Sequence, residues 1–79
     1  MILSGSKDAT LHQVQLVSIH GTEFFDLVFA HDDAPDQAYR ARIGTESIYA
    51  QPQPGDLVAV TYMMNIPTAI TRRTAPNSV

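Results

Sequence analysis

Apolar residues along this chain recur at every second position in short runs, and Gly, Pro, Asp and Asn separate the runs. That period belongs to half-buried strands, and those separators belong to turns. The breaks fall at Gly21, at Asp32 to Asp36, at Pro52 to Gly55 and at Asn65 to Pro67. They divide the chain into five strand candidates.

The first candidate, Thr10 to His20, sets Val14 and Leu16 in one phase and Val17 and Ile19 in the other. One strand turns both pairs inward only through a bulge or bend, which the pattern predicts between Leu16 and Ser18. The second sets Phe25, Leu27 and Phe29 on one face and Phe24, Asp26, Val28 and Ala30 on the other. The link His20-Gly21-Thr22 is short enough for an antiparallel hairpin. An acidic link, His31 to Gln37, leads into Ala38 to Ile43, where Tyr39, Ala41 and Ile43 alternate with Arg40 and Arg42.

Alternation then stops, and about one helical turn over Thr45 to Ala50 would aim Ile48 at a core. Pro54-Gly55 suits the two central positions of a type II turn, because Pro fixes the first φ and Gly tolerates the second. A strand from Leu57 to Tyr62 follows, apolar on both faces at its start, and the last runs from about Thr68 to Arg73. Three strands, a short helical connection and two more strands predict an all-β protein. The specific expectation is a small five-stranded Greek-key barrel of the OB type, with an SH3-like barrel as the alternative. Residues 1–9 and 74–79 lack periodicity and read as flexible ends of one domain, 10–73.

With 79 residues there is no room for a second core, and 44% apolar against 16% charged residues describes a folding chain, not a disordered one. The absence of cysteine removes disulfides, thiolate chemistry and Cys-based zinc sites, and it favours a cytoplasmic setting. Apolar runs stop at four residues, far short of the roughly 20 that span a bilayer, so no membrane contact is expected. The first eight residues have neither the basic nor the apolar region of a secretory signal.

Charge is unevenly divided. Residues 1–38 carry Asp8, Glu23, Asp26, Asp32, Asp33 and Asp36 against Lys7 alone, whereas residues 39–79 carry Arg40, Arg42, Arg72 and Arg73 against Glu46 and Asp56. The net charge of -3 disfavours nucleic acid at long range, so a polyanion would have to find a local arginine patch. Arg40 and Arg42 supply one candidate, since positions i and i+2 of a strand share a face. Arg72 and Arg73 on the last strand, with Tyr62 as a stacking ring, complete the predicted site for a small anionic ligand or single-stranded nucleic acid.

No serine stands in a nucleophile-elbow context, so no catalytic residue, enzyme activity or cofactor is assigned. His31, Asp32, Asp33 and Asp36 crowd three carboxylates and an imidazole into six residues, a donor set that suits a divalent cation. The same aspartates are ordinary turn formers at a solvated hairpin tip, and no metal site is assigned. The stretch Tyr62-Met63-Met64-Asn65-Ile66 stays apolar beyond the expected end of its strand. Met63, Met64 and Ile66 are therefore the expected contact of a homodimer or higher oligomer. The functional expectation is a non-enzymatic binding module for a small ligand or partner protein, with single-strand binding and structural oligomerisation as alternatives.

Val14, Val17, Gly21, Thr22 and Glu23, followed by Ala41-Arg42-Ile43 and by Pro54-Gly55-Asp56-Leu57-Val58-Ala59-Val60, resemble the TOBE family. This OB-like module closes many ABC-transporter ATPases and stands alone in the molbindins, and the resemblance covers roughly Gln13 to Ile70. It implies the barrel and a ligand-binding or regulatory role. The Ser-Ala-Arg-Asn opening with which molbindins bind oxyanions has no counterpart near Leu11 to Val14, and their later lysine-bearing strand reads Thr61-Tyr62-Met63 here. Molybdate binding is not carried over.

Overall fold

The computed structural model describes residues 4–73. They form β1 (Ser4–Ile19), β2 (Thr22–His31), β3 (Ala38–Gly44), a single 3₁₀ turn (Thr45–Ser47), β4 (Leu57–Met63) and β5 (Ile66–Arg72). All ladders are antiparallel, in one five-stranded sheet of order β3-β2-β1-β4-β5. The first three strands follow one another as a meander, and the fourth returns beside the first, the Greek-key order 4-1-2-3. The sheet curls until its edge strands β3 and β5 meet. A lone parallel bridge joins Ile48, just past the 3₁₀ turn, to Ile70 of β5, and no ladder closes the sheet among the described residues. Among the described residues no helix is long and apolar enough to cross a membrane.

Turn chemistry sets the registers. His20 and Gly21 have φ of 51° and 80°, and Met64 and Asn65 have 51° and 68°. Two successive positive values define the two-residue hairpin turn whose twist matches that of its strands. The turn at Pro54-Gly55 is as expected, with Gly55 at φ 91° and the Asp56 N–H donating to the Gln53 carbonyl at 3.2 Å.

The concave face gathers Ala9 and Leu11 of β1, Leu27 and Phe29 of β2, Ile43 of β3, Val58 and Val60 of β4, and Ile70 of β5. Ile48 caps this core from the connection after the 3₁₀ turn, where the lost alternation placed it. Phe29 is the largest fully buried side chain.

Three expectations need correction. Ser4 to Ala9 are not an unstructured end: they pair with β4 from Ser4↔Met63 to Ala9↔Val58. Small and polar residues without alternation serve from Ser4 to Asp8 because the β4 ladder holds this end of β1, and β2 joins on the other side only from Ala9. The bulge is not at Leu16 to Ser18, where Gln13 to Ile19 pair one for one with Val28 to Thr22. It lies at His12, between Leu11 and Gln13, where β1 runs out of β4 partners. Both phases beyond it are apolar for a different reason: Val17 packs opposite Phe24 on the convex face, while Leu16 stands 53% exposed past the end of the core. Finally, His31 is no link residue but the buried last residue of β2. Residues 74–79, the other expected flexible end, lie outside the described residues.

Phe29 at the centre of this core offers a simple check. Phe29→Ala should lower unfolding free energy by about 3–5 kcal/mol through lost transfer energy and the cavity left behind. Urea denaturation of the two proteins measures this, and a loss below 1 kcal/mol would place the core elsewhere.

Candidate functional site

The sheet stays open at the end where β2 finishes, β3 begins and the β4–β5 hairpin turns. Phe29 and His31 of β2, Tyr39 and Arg40 of β3, Tyr62 of β4 and Lys7 of β1 line a cleft of about 400 Å³ there, with Asn65 and Pro67 at its lip. Strand parity explains the gathering. Lys7 lies opposite Val60, Phe29 opposite Tyr39, and Tyr62 opposite Pro67, which keeps these side chains on the concave face. Arg40, opposite Val28, has the other parity, shares the convex groove with Arg42, and also borders the cleft from the edge strand β3.

His31 is the hub. Its ring centroid lies 4.8 Å from that of Tyr39, 5.7 Å from Tyr62 and 5.8 Å from Phe29. Phe29 and Tyr39 stack at 6.0 Å and 25°. The His31 Nε2 and the Tyr62 hydroxyl share a 2.6 Å hydrogen bond, so each of these buried polar groups is satisfied by the other. Burial holds the His31 imidazole below its ordinary range, with Lys7 adding to the effect and Asp33 and Asp32 opposing it. Burial also pushes the Tyr62 phenol up, and Tyr39 reinforces it. The floor of the cleft is therefore neutral at pH 7.

Two cations border the cleft, Lys7 from the concave face and Arg40 from the edge of β3. Lys7 pairs with Asp33 at 2.9 Å, and that hydrogen bond first of all holds the Asp33 carboxyl below the usual carboxylate range. Arg40 has no ion pair or side-chain hydrogen bond among the described residues. Tyr39, 40% exposed, donates only to Gln37 Oε1 at 3.2 Å and presents its ring to the cleft. Flat apolar faces, a neutral floor and two cations are what a planar group bearing negative charge requires.

The sequence-predicted arginines do not form one surface. Arg42 grips Asp26 with both prongs, Nε at 2.6 Å and Nη2 at 2.9 Å, and this pairing lowers the Asp26 carboxyl and raises the guanidinium. Arg73 is a structural clamp whose Nε donates to the Val58 carbonyl and whose Nη2 donates to the Ala9 carbonyl and to Asp32. Arg72 lies opposite Val58 at the far end of β5, close enough to act electrostatically on Tyr49 and Asp56. Arg40 and Tyr62 are the two predicted site residues brought together, although Tyr62 is buried as floor and not offered for free stacking. Met63, Met64 and Ile66 are exposed at the hairpin tip beside the lip, Met64 at 75%.

A second groove of about 430 Å³ runs over the convex face between Gln13, Gln15, Arg40 and the Asp26–Arg42 pair. Asp26 and Arg42 satisfy one another there, so the groove offers a ligand less than the concave cleft. The aspartates of the β2–β3 link are likewise engaged: Asp32 accepts from Thr10 and Arg73, and Asp33 pairs with Lys7. Among the described residues no three His, Asp or Glu side chains are grouped to hold a metal. Sequence reading missed Lys7, His31 and Tyr39. Tyr39 is legible as a concave-face residue from its alternation with Arg40 and Arg42, whereas Lys7 and His31 fall, by sequence, in an unpatterned end and an acidic link.

Depression of the His31 pKa has a consequence for stability. The unfolded chain takes up the His31 proton near the ordinary value of 6.5 and the folded chain only at lower pH. The contribution is thus fully present above pH 6.5 and is lost as pH falls through that window. Urea unfolding at pH 7.5 and 5.5 should show wild-type stability falling on acidification, with a smaller fall in His31→Gln. Equal slopes would mean that His31 titrates normally in the fold.

No family model matches the chain, and comparison with curated proteins and with solved structures finds no similar protein.

Proposed function

We propose that this protein is a non-enzymatic binding module of OB type whose barrel mouth takes a small anionic ligand carrying a planar ring. The observation that carries this reading is the half-exposed Tyr39 ring over a buried and neutral His31–Tyr62 floor, with Arg40, unpaired among the described residues, bordering the same cleft from the edge of β3. The Tyr39 face stacks the planar group, and Arg40 donates to the anion, with Lys7 shared between ligand and Asp33. Barrel mouths are frequent ligand sites for the reason seen here: interior side chains continue to the rim and are left half covered. A long β1 shared between β2 and β4, and a β3 edge that meets β5, support the OB assignment. The TOBE resemblance favours the same class of role.

The reading accommodates one base of a single strand as readily as a free nucleotide, but the dispersal of the arginines favours the small ligand. Arg42 and Arg73 are committed to internal partners, which leaves no basic track to follow a backbone.

Thermal unfolding with millimolar nucleoside monophosphate, nucleoside or inorganic phosphate separates the contributions. A ligand that binds only the folded state raises the midpoint, and the nucleotide is expected to do so more than either fragment. Tyr39→Ala and Arg40→Ala should each weaken it by roughly tenfold, the effect of losing about 1.4 kcal/mol, whereas Arg42→Ala should not. Absence of a shift from all three compounds would contradict the assignment.

A further inference from the structure

β1 is 16 residues long, but β4 covers only its first part. The β1–β4 ladder ends at Thr10↔Leu57, while the β1–β2 ladder continues to Ile19↔Thr22. Leu11 spends its own N–H and C=O on Asp56 and Gly55. From Gln13 to Ile19 the side of β1 away from β2 has no strand beside it among the described residues. In an antiparallel ladder alternate residues direct their N–H and C=O groups to one side. The two-residue turn closes on a hydrogen-bonded Ile19–Thr22 pair, so Val14, Leu16 and Ser18 direct theirs to the open side.

Open edges invite pairing, and folded proteins usually guard them with charge, proline or cover. The other two edges of this sheet are guarded. β3 carries Arg40 and Arg42, and β5 carries Pro67, Arg72 and the bridge from Ile48. The open length of β1, Gln13-Val14-Gln15-Leu16-Val17-Ser18-Ile19, has no charge and no proline, and its composition favours strand. Leu16 on it is half exposed, and Ile19 is exposed at its end.

We propose that this edge is a dimer interface, in which a second copy of the chain adds its own Gln13–Ile19 antiparallel across a two-fold axis through Leu16. The sequence is self-complementary about that point. Leu16 meets Leu16 of the second copy with backbone groups of both directed across, Val14 meets Ser18 on the concave face, and Gln15 meets Val17 on the convex face. Two copies of net charge -3 repel one another, and this uncharged length is where their strands approach without opposing like charges. The hairpin tip of Met63, Met64 and Ile66, where the apolar sequence placed self-contact, lacks an open backbone: β4 and β5 pair up to Met63↔Ile66. This interface is at the opposite end of β1 from the ligand cleft, so the two proposals stand or fall separately.

The test uses the whole chain. Light scattering after size exclusion at about 100 µM should give roughly twice the chain mass of 8.7 kDa for the wild type and the chain mass for Leu16→Lys. The chain has no cysteine, so single-cysteine variants report contacts cleanly. Facing residues of a hydrogen-bonded antiparallel pair have Cα atoms about 5.5 Å apart, within disulfide reach. Leu16→Cys is therefore expected to form a covalent dimer under mild oxidation, and Met64→Cys is not. A monomeric wild type, a dimer that survives Leu16→Lys, or cross-linking through Met64→Cys in preference to Leu16→Cys would each overturn the proposal.

Discussion

Everything in this fold depends on β1 changing partners at Leu11. The strand gives one side to β4 up to Thr10, and beyond Leu11 it pairs, among the described residues, with β2 alone. At the change, Leu11 donates to the Asp56 carbonyl at 3.0 Å and accepts from the Gly55 N–H at 2.7 Å. Its side chain is fully buried in the core. The Pro54-Gly55 turn thus docks on β1 at the residue preceding the His12 bulge, and the bulge bends the strand so that both halves contribute to one concave face.

Around that point the polar groups act as fasteners. Arg73 holds carbonyls of β1 and β4 and reaches Asp32 just past β2. Asp56 closes the turn below by accepting from the Tyr49 hydroxyl at 2.7 Å and the Gln53 N–H at 3.0 Å. The Tyr49 bond is the main reason the Asp56 carboxyl lies below its usual range, and burial raises the Tyr49 phenol. Arg73, just past the last strand, therefore secures the sheet, and Arg40, without an ion pair among the described residues, borders the cleft. A barrel fastened at one end and unclosed at the other has its side chains half covered at the mouth, where Tyr39 and Lys7 stand.

Alternation made most of this legible. Phe25, Leu27 and Phe29 against Tyr39, Ala41 and Ile43 revealed the paired faces of β2 and β3, and the Gly21 and Pro54-Gly55 signals placed two turns correctly. What escaped was the part held by backbone. Ser4 to Asp8 form strand because β4 supplies a ladder for them, and small polar residues carry no local sign of that. His31 looked like the first residue of an acidic loop, yet the Tyr62 hydroxyl 31 positions away makes its burial tolerable. The arginines were legible as cations but not as partners, since Asp26 opposite Arg42 is a fact of register.

The central claim is that the barrel mouth, and not the convex arginine face, receives the ligand. Amide and side-chain chemical shifts recorded during titration with a nucleoside monophosphate test it most directly. A ligand in the cleft should produce the largest changes at Lys7, His31, Tyr39, Arg40, Tyr62 and Asn65, with Gln15, Asp26 and Arg42 nearly unmoved. Changes centred on Gln13, Gln15, Asp26 and Arg42 would contradict it.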